Sequence, residues 1–149
     1  MTKIRHKVCI AVYAVFIKEG KVLLQRRENS GFCDGMYGIP SGHVEENEMP
    51  TESLVREIKE EIDVDFTKEN IKFSSFNYHM VKDGNDYVNL FFVIEKWEGE
   101  PKIMEPDKCS DLGWFSIDDM PENTIEYVKN GILNSLENKN YSEHIFEEK

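Results

Sequence analysis

Apolar residues in the middle of the chain recur at the spacing of an amphipathic helix. At 100° per residue, four of them form one narrow stripe: Leu54, Val55, Ile58 and Ile62. Pro50 precedes the stripe, and proline suits the first turn of a helix because the N–H it lacks would have no helical partner there. The pattern therefore predicts a helix that begins at Pro50 and buries this stripe.

A second helical pattern lies near the C-terminal end of the sequence. The segment from Thr124 to Leu136 carries apolar residues at helical spacing: Ile125, Val128, Ile132, Leu133 and Leu136. Gly131 lies within the segment and is a poor helix former. From Glu137 onward the chain is polar, and we expect this tail to fray.

Five other runs are rich in β-branched and aromatic residues and predict strands: Val8 to Ile17, Lys21 to Arg27, Ile71 to Val81, Tyr87 to Trp97 and Leu112 to Ile117. Turn residues around Gly20 and Gly84 favour hairpins between the first two runs and the next two. The continuous apolar run at 91–94 suits a strand that is covered on both faces. The glycine-rich stretch at 29–42 predicts a loop.

The order of these elements predicts the fold class. Two strands, a helix, two strands, a further strand and a helix give an α/β fold with a mixed β-sheet between helices. At 149 residues the chain suits a single domain, 1–149. We expect its core at about 8–136 and a polar C-terminal tail at 137–149.

Composition indicates the cellular setting. The sequence is 40% hydrophobic and 32% charged, as is usual for a soluble globular protein. Its three cysteines lie far apart and form no CxxC pair, which favours a reducing cytoplasm over a disulfide framework. The apolar run at 8–17 is too short to span a bilayer, so we expect a cytoplasmic protein without a membrane partner.

The charge balance limits the partners further. The net charge of −11 argues against a long nucleic-acid partner, because affinity for phosphate backbones rests largely on Lys and Arg. A small polyphosphate can still bind where metal ions supply the missing positive charge.

Three carboxylates lie beside the apolar stripe of the first helix. Glu57, Glu60 and Glu61 fall within five consecutive residues and share one arc of the helix. Like charges at helical spacing destabilise a helix by about 0.2–0.5 kcal/mol per pair. A hard divalent cation such as Mg²⁺ would neutralise them, and the alternative is a solvated acidic face.

The full spacing around these carboxylates resembles the Nudix box, GX5EX7REUXEEXGU, in which U is a bulky aliphatic residue. The matching positions are Gly42, Glu48, Arg56, Glu57, Ile58, Glu60, Glu61 and Val64. Asp63 stands where the family has glycine, and Asp tolerates a left-handed backbone better than most residues. We therefore expect the turn that ends the helix to survive. The match is specific at 42–64 and weaker over about 8–136.

The resemblance implies an α/β/α sandwich and a Mg²⁺-dependent hydrolase, with Mn²⁺ as an alternative ion. The implied metal ligands are Glu57, Glu60, Glu61, Glu105 and a backbone carbonyl of Ser41 or Gly42. Arg56 would orient the carboxylates, and Glu48 would support the same network. The implied reaction is hydrolysis of a nucleoside diphosphate linked to another moiety, with a nucleoside triphosphate as the leading substrate. A small nucleotide is the expected partner, and a homodimer stays open.

The assignment of Glu105 rests on a second segment. The sequence EKWEGEPKIME at 95–105 is similar to ERWEGEP in MutT-type members of the family. On that register Glu105 matches the loop glutamate that completes the metal site, and it is a candidate for positioning water. Glu98 and Glu100 are the alternatives.

Three residues are candidates for substrate binding. In the resemblance, the second strand brings Arg26 and Arg27 towards the substrate, and Arg27 matches a substrate-contacting position in MutT-type members. Tyr78 could line a pocket from a neighbouring strand. Asn123 lies in a segment similar to the one whose Asn reads a purine, and an amide can pair with a purine edge. Asn123 could instead cap the helix that begins near Thr124. If Asn123 pairs with a purine, the enzyme should prefer purine nucleoside triphosphates, including those of oxidised guanine.

Other functions remain open at this point. Family members for ADP-ribose tend to carry Pro, and those for diadenosine polyphosphates Tyr, some fifteen to eighteen residues after the box. Positions 79–82 carry neither marker. A nucleotide sugar and capped messenger RNA are further substrates of the family, and the acidic balance disfavours the RNA. A non-catalytic nucleotide-binding module is the alternative from another class. The three glutamates argue against it, because a binding module has no physical need for carboxylates that repel one another.

Overall fold

A mixed β-sheet separates two amphipathic helices in the computed structural model, which describes residues 3–146. The strands are β1 (Cys9–Lys18), β2 (Lys21–Arg27), β3 (Tyr37–Gly38), β4 (Ser41–His43), β5 (Ile71–Val81), β6 (Tyr87–Ile94), β7 (Cys109–Ser116) and β8 (Tyr141–Phe146). The helices are α1 (Pro50–Ile62) and α2 (Glu126–Leu136). The predicted α/β fold with a mixed sheet is confirmed.

Strand β1 lies at the centre of the sheet. It pairs in parallel with β6 from Cys9↔Tyr87 to Phe16↔Ile94, and antiparallel with β2 and β4. Because side chains alternate along a strand, Tyr13 and Val15 face one apolar cluster with α2, whereas Val12 and Phe16 face another with α1. The sheet is therefore covered on both faces where β1 and β6 run through it, as the apolar run at 91–94 predicted.

Helix α1 is fixed by its apolar stripe. Leu54, Ile58 and Ile62 are at most 1% exposed and pack on the β1 side of the sheet. The helix ends at Asp63, which has φ 57° and ψ 44°, and its N–H donates to the carbonyl of Lys59 at 3.1 Å. The predicted left-handed turn at this aspartate is confirmed. The orientation of the helix is set by burial, so its polar face is held in one direction.

The stretch at 29–42 was predicted as loop, and this is wrong at two places. Tyr37–Gly38 forms β3 against β2, and β4 begins at Ser41 against β1. Strands of two and three residues are too short to show a period of two, and their pairing comes from neighbours distant in the sequence. The consequence is that the backbone before α1 is anchored to the sheet.

The polar tail was predicted to fray, and this is wrong over Tyr141–Phe146. These residues form β8, which pairs in parallel with the edge strand β5 from Phe76↔Tyr141 to Val81↔Phe146. Polar composition hid this strand, because its backbone groups are satisfied by β5 rather than by burial of an apolar face. Positions 147–149 of the predicted tail lie outside the described residues.

Boundaries of other elements shift slightly. The strand predicted to Trp97 ends at Ile94, the strand predicted from Leu112 begins at Cys109, and α2 begins at Glu126. Neither α1 nor α2, the two α-helices within residues 3–146, is long and apolar enough to cross a membrane.

Gly131 in α2 gives a test of the packing. A Cβ at this position would lie 2.2 Å from Cζ of Phe91, whose ring is buried and stacks on Tyr13 at 4.8 Å between centroids. Alanine is the better helix former by about 1 kcal/mol, but overpacking costs about 1–3 kcal/mol. We expect Gly131→Ala to lower the melting temperature and the exposed substitution Lys129→Ala to leave it within about 1 °C. A more stable Gly131→Ala protein would contradict this packing.

Candidate active site

Arg56 pairs with four carboxylates around α1, and the longest of these contacts joins its Nη2 to Glu45 Oε1 at 3.7 Å. Its Nε donates to Glu48 Oε2 at 2.8 Å and its Nη2 donates to Glu48 Oε1 at 3.1 Å. Its Nη1 donates to Glu57 Oε1 at 2.9 Å and lies 3.5 Å from Glu60 Oε2. The guanidinium thus offsets the repulsion that the sequence predicted among the helix carboxylates.

Glu48 ties the loop before α1 to the helix. It accepts hydrogen bonds from the hydroxyl of Ser53 and, at 3.2 Å, from the backbone N–H of Glu45. The hydrogen bonds from Arg56, followed by the one from Ser53, lower the pKa of Glu48 to about 2. Glu48 is therefore ionised at ordinary pH, and it fixes Arg56 through two hydrogen bonds.

Gly42 makes room for Glu57. A Cβ on Gly42 would lie 2.1 Å from Cγ and 2.8 Å from Cβ of Glu57, so any other residue would displace the glutamate stem. Gly42 is itself fixed, because β4 pairs with β1 at Val12↔Gly42. Burial raises the pKa of the Glu57 carboxyl, and Arg56 opposes that shift. The spacing between this glycine and this glutamate therefore has a steric cause.

Glu61 points towards the sheet and is partly buried. Its Oε2 accepts from the backbone N–H of Ser41 and from Nε2 of Gln25, both at 3.3 Å. Burial raises the pKa of Glu61 to about 8 despite these two donors, and the negative charges of Glu57 and Glu105 raise it further. Without a cation nearby, Glu61 would hold a proton at neutral pH.

A cleft of about 110 Å³ opens beside Glu61. Its lining residues are Gln25, Arg26, Arg27, Ser30, Glu61, Glu105, Lys108 and Cys109. Glu105 lies in the turn before β7, where its carbonyl accepts from the N–H groups of Lys108 and Cys109. Glu98, one of the two alternatives considered from the sequence, exchanges backbone hydrogen bonds with Asp65 and lines a different groove. The structure therefore brings Glu105, and not Glu98, to Glu61.

The carboxylates fit a hard divalent cation by their chemistry. Within residues 3–146 no three Asp, Glu, His or Cys side chains already stand in a metal-holding arrangement, and Arg56 contacts Glu57 and Glu60 instead. The donor set is nevertheless all oxygen, as Mg²⁺ requires. A bound cation would favour the ionised form of both carboxyls and so oppose the effect of burial, which raises the pKa of Glu57 and Glu61. The chemistry of these side chains therefore suits Mg²⁺, while Arg56 supplies the positive charge beside Glu57 and Glu60 in this structure.

Arg27 and Asn123 lie on either side of the loop at 28–36. Arg27 Nε donates to the carbonyl of Phe32 at 2.9 Å, and its guanidinium lies 5.5 Å from the centre of the Phe32 ring. Asn123 Nδ2 donates at 2.9 Å to the carbonyl of Gly35, which also accepts from Arg26 Nε at 3.0 Å. Arg27 therefore reaches the cleft with a fixed guanidinium, and Asn123 holds the same loop in place.

The alternative role for Asn123, as a helix cap, is wrong. The N-cap residue of α2 is Ile125, and no side chain caps this helix. The structure does not bring Tyr78 to the cleft: its hydroxyl donates to Asp86 Oδ2 at 3.1 Å and lies 3.3 Å from His6 Nε2. A substrate role for Tyr78 has no support from this position.

Sequence reasoning missed four lining residues of the cleft: Gln25, Ser30, Lys108 and Cys109. Only Gln25 left a signal, because it is a polar residue that directly follows the apolar run at 22–24 of a strand. Lys108 and Cys109 enter the cleft through the turn that starts β7, and their spacing from the box follows no period.

The chain is similar in sequence and in fold to known proteins. The NUDIX domain family model matches residues 5–135. The chain is 29% identical over 118 residues to an 8-oxo-dGTP diphosphatase of Escherichia coli, covering 77% of this chain and 88% of the relative. It is 27% identical over 120 residues to an ADP-ribose pyrophosphatase of Methanocaldococcus jannaschii, covering 80% and 69%.

Two further comparisons differ in how much they cover. A NAD-capped RNA hydrolase NudC of Pseudomonas entomophila is 34% identical over 113 residues, which are 72% of this chain but only 36% of that longer protein. A crystal structure of a MutT NUDIX hydrolase from Burkholderia pseudomallei superposes with a TM-score of 0.79 at 25% identity, covering 87% of this chain and 98% of that one. The named relatives act on different nucleotides, so they indicate a family rather than one substrate.

The raised pKa of Glu61, about 8, predicts how stability depends on pH in metal-free protein. The folded state binds this proton more tightly than the unfolded chain does, so the contribution favours folding at low pH. It is lost as pH rises from about 4.5 towards 8. We expect urea unfolding to show that Glu61→Gln gains stability relative to the natural chain between pH 5 and pH 8.5.

The exposed substitution Glu52→Gln in the same helix is the control for that comparison. Its difference from the natural chain should stay constant over this range, because Glu52 is exposed and contacts neither Gln25 nor Ser41, the partners of Glu61. A constant difference for Glu61→Gln as well would show that Glu61 is ionised in the metal-free fold.

Proposed function

The chain belongs to the Nudix family of hydrolases, which act on phosphoric anhydride bonds, and we propose that it hydrolyses a purine nucleoside triphosphate to the monophosphate and pyrophosphate. The observation that carries the proposal is the cleft in which Glu61 and Glu105 lie together with Arg26, Arg27 and Lys108. A triphosphate needs positive charge along its whole length. Two carboxylates that bind a cation, beside three cationic side chains, supply it.

Glu57, Glu60, Glu61, Glu105 and a carbonyl of Ser41 or Gly42 would hold Mg²⁺. When bound, the ion masks negative charge on the phosphate oxygens and lowers the pKa of a coordinated water. The protein supplies the rest. Arg56 and Glu48 hold the direction of the carboxylates, and Gly42 leaves the space that Glu57 occupies.

Two groups of side chains would handle the substrate. Arg26, Arg27 and Lys108 bind phosphate oxygens, and the hydrogen bonds of the two arginines to loop carbonyls fix their guanidinium planes before substrate arrives. The side chain of Glu105 forms no hydrogen bond or ion pair within residues 3–146. It is therefore available to orient the attacking water and accept its proton.

Asn123 supports the preference for a purine. Its Nδ2 is used by Gly35, but its Oδ1 remains an acceptor on the exposed side of the loop. An acceptor there can take a hydrogen bond from an exocyclic amino group or a ring N–H of a purine. The absence of the Pro and Tyr markers at 79–82 supports a triphosphate over ADP-ribose or a dinucleotide.

A substrate panel tests the proposed function directly. It should contain purine and pyrimidine triphosphates, 8-oxo-dGTP, ADP-ribose and a diadenosine polyphosphate, each with Mg²⁺, with products identified by mass. We expect the highest kcat/KM for a purine triphosphate, with pyrophosphate released in one step. Faster hydrolysis of ADP-ribose or the dinucleotide would make that compound the preferred substrate instead of a triphosphate. Absence of hydrolysis with every compound in the panel would refute the proposed hydrolase activity.

The position of Glu105 in the cleft predicts different results for two neighbouring glutamates. Glu105→Gln should lower kcat by about 100-fold or more, because the charge acts on the transition state. Glu98→Gln is the matched control, since Glu98 lies in a different groove, and its kcat should stay within about twofold of the natural value. Steady-state kinetics at saturating Mg²⁺ measures both, and equal effects would show that the register through 95–105 is wrong.

Asn123 gives a test of base recognition. Asn123→Ala should reduce kcat/KM for the preferred purine about 10- to 100-fold, corresponding to about 1–3 kcal/mol for a lost polar partner. The kcat/KM for a poor pyrimidine substrate should change much less. The melting temperature serves as the control, because Asn123 also holds the carbonyl of Gly35. Equal losses on both bases, together with a lower melting temperature, would assign Asn123 to loop structure alone.

A further inference from the structure

Gln25 lies in the cleft but belongs to neither the carboxylates nor the cationic side chains. Alternation along β2 places it on the same face as Leu23, which packs with Leu54 and Ile58 of α1. Gln25 therefore faces the same helix two residues further along the strand. The polar pair of Gln25 and Glu61 continues a line of apolar contacts between β2 and α1.

The amide of Gln25 uses both of its hydrogens at this position. Its Nε2 donates to Glu61 Oε2 at 3.3 Å and to the carbonyl of Ile39 at 3.5 Å. The backbone N–H of Ser41 donates to the same Glu61 oxygen, also at 3.3 Å. Both donors meet Oε2, so Oε1 is the oxygen that remains for another ligand.

The backbone around Gln25 is rigid. β2 pairs with β3 at Gln25↔Gly38 and with β7 at Gln25↔Leu112, so the residue is held on both sides of its strand. A carboxylate that is oriented by hydrogen bonds from a rigid strand presents its free oxygen in one direction.

We propose that Gln25 is a positioning residue, which fixes the carboxylate of Glu61 so that Oε1 faces a divalent cation in the cleft. This inference rests on the proposed metal-dependent hydrolysis. Gln25 does not itself touch the reacting atoms. It acts through Glu61, and its loss should therefore weaken binding of the metal more than binding of the nucleotide.

Substitution separates this role from a plain structural one. Gln25→Leu keeps the size of the side chain and removes both donors. We expect it to weaken Mn²⁺ binding, measured by calorimetry on the nucleotide-free protein, about tenfold, and to raise the Mg²⁺ concentration for half-maximal rate by a similar factor. The KM for nucleotide at saturating metal should change less than about twofold. Lys21→Met, at the exposed far end of β2, is the control and should alter none of these.

A second measurement observes the Gln25 amide directly by NMR and needs no substitution of Gln25. Gln25 is the only glutamine in the chain, so selective labelling of glutamine side-chain nitrogen gives a single amide pair in an NMR spectrum. We expect this pair to shift when Glu61 is changed to Ala and again when Mg²⁺ is added to the natural chain. Glu52→Ala, which like Glu61→Ala adds no second glutamine, should leave it unchanged.

The outcomes separate this inference from the proposed function. Unchanged Mn²⁺ affinity in Gln25→Leu, or an amide pair that responds to neither Glu61→Ala nor Mg²⁺, would overturn the role of Gln25 even if the chain hydrolyses triphosphates. A higher KM for nucleotide in Gln25→Leu, with unchanged metal affinity, would assign Gln25 to substrate contact instead. Failure of the substrate panel, with both metal-binding results as expected, would refute the proposed function and leave the positioning role standing.

Discussion

Repulsion among carboxylates on a helix that cannot turn is the constraint on which this site depends. Leu54, Ile58 and Ile62 hold α1 against the sheet at almost zero exposure, so Glu57 and Glu61 cannot rotate into solvent. Burial raises the pKa of both carboxyls; the negative charge of Glu60 raises the pKa of Glu57 further, and that of Glu57 raises the pKa of Glu61. The fold thus stores an unfavourable charge arrangement, which positive charge relieves.

Arg56 is the permanent part of that positive charge. Its two-pronged pair with Glu48 leaves Nη1 for Glu57 and Glu60, so one guanidinium serves carboxylates from a loop and a helix. Arginine suits this position because its planar fork of donors keeps its direction, which a lysine ammonium would not do. Arg56 does not reach Glu61, however, and Glu61 has only the neutral donors Gln25 and Ser41. The charge that remains is the one we assign to a divalent cation.

The sequence predicted those parts of the fold that repeat at a regular spacing. α1 begins at Pro50, and β5 and β2 have the predicted bounds, because burial of one face leaves a period in the sequence. β8 could not be found in this way, since its strand is held by backbone pairing with β5. For the site, the box spacing indicated Glu57 and Glu61 in advance. Gln25 and Lys108 join Glu61 in the cleft only through the tertiary fold. The polar residue at the end of an apolar run marked Gln25 as unusual, but single-sequence reasoning could not predict which residue it contacts.

The response of the metal-free protein to Mg²⁺ tests the account most directly. A ligand that binds only the folded state stabilises it by mass action, so the melting temperature should rise steadily through millimolar Mg²⁺. Glu60→Gln should shrink the rise, because it removes one implied ligand that is 58% exposed and only weakly paired with Arg56. An unchanged melting curve across the titration, in protein verified to be free of metal, would contradict the cation site and with it the explanation for the buried carboxylates.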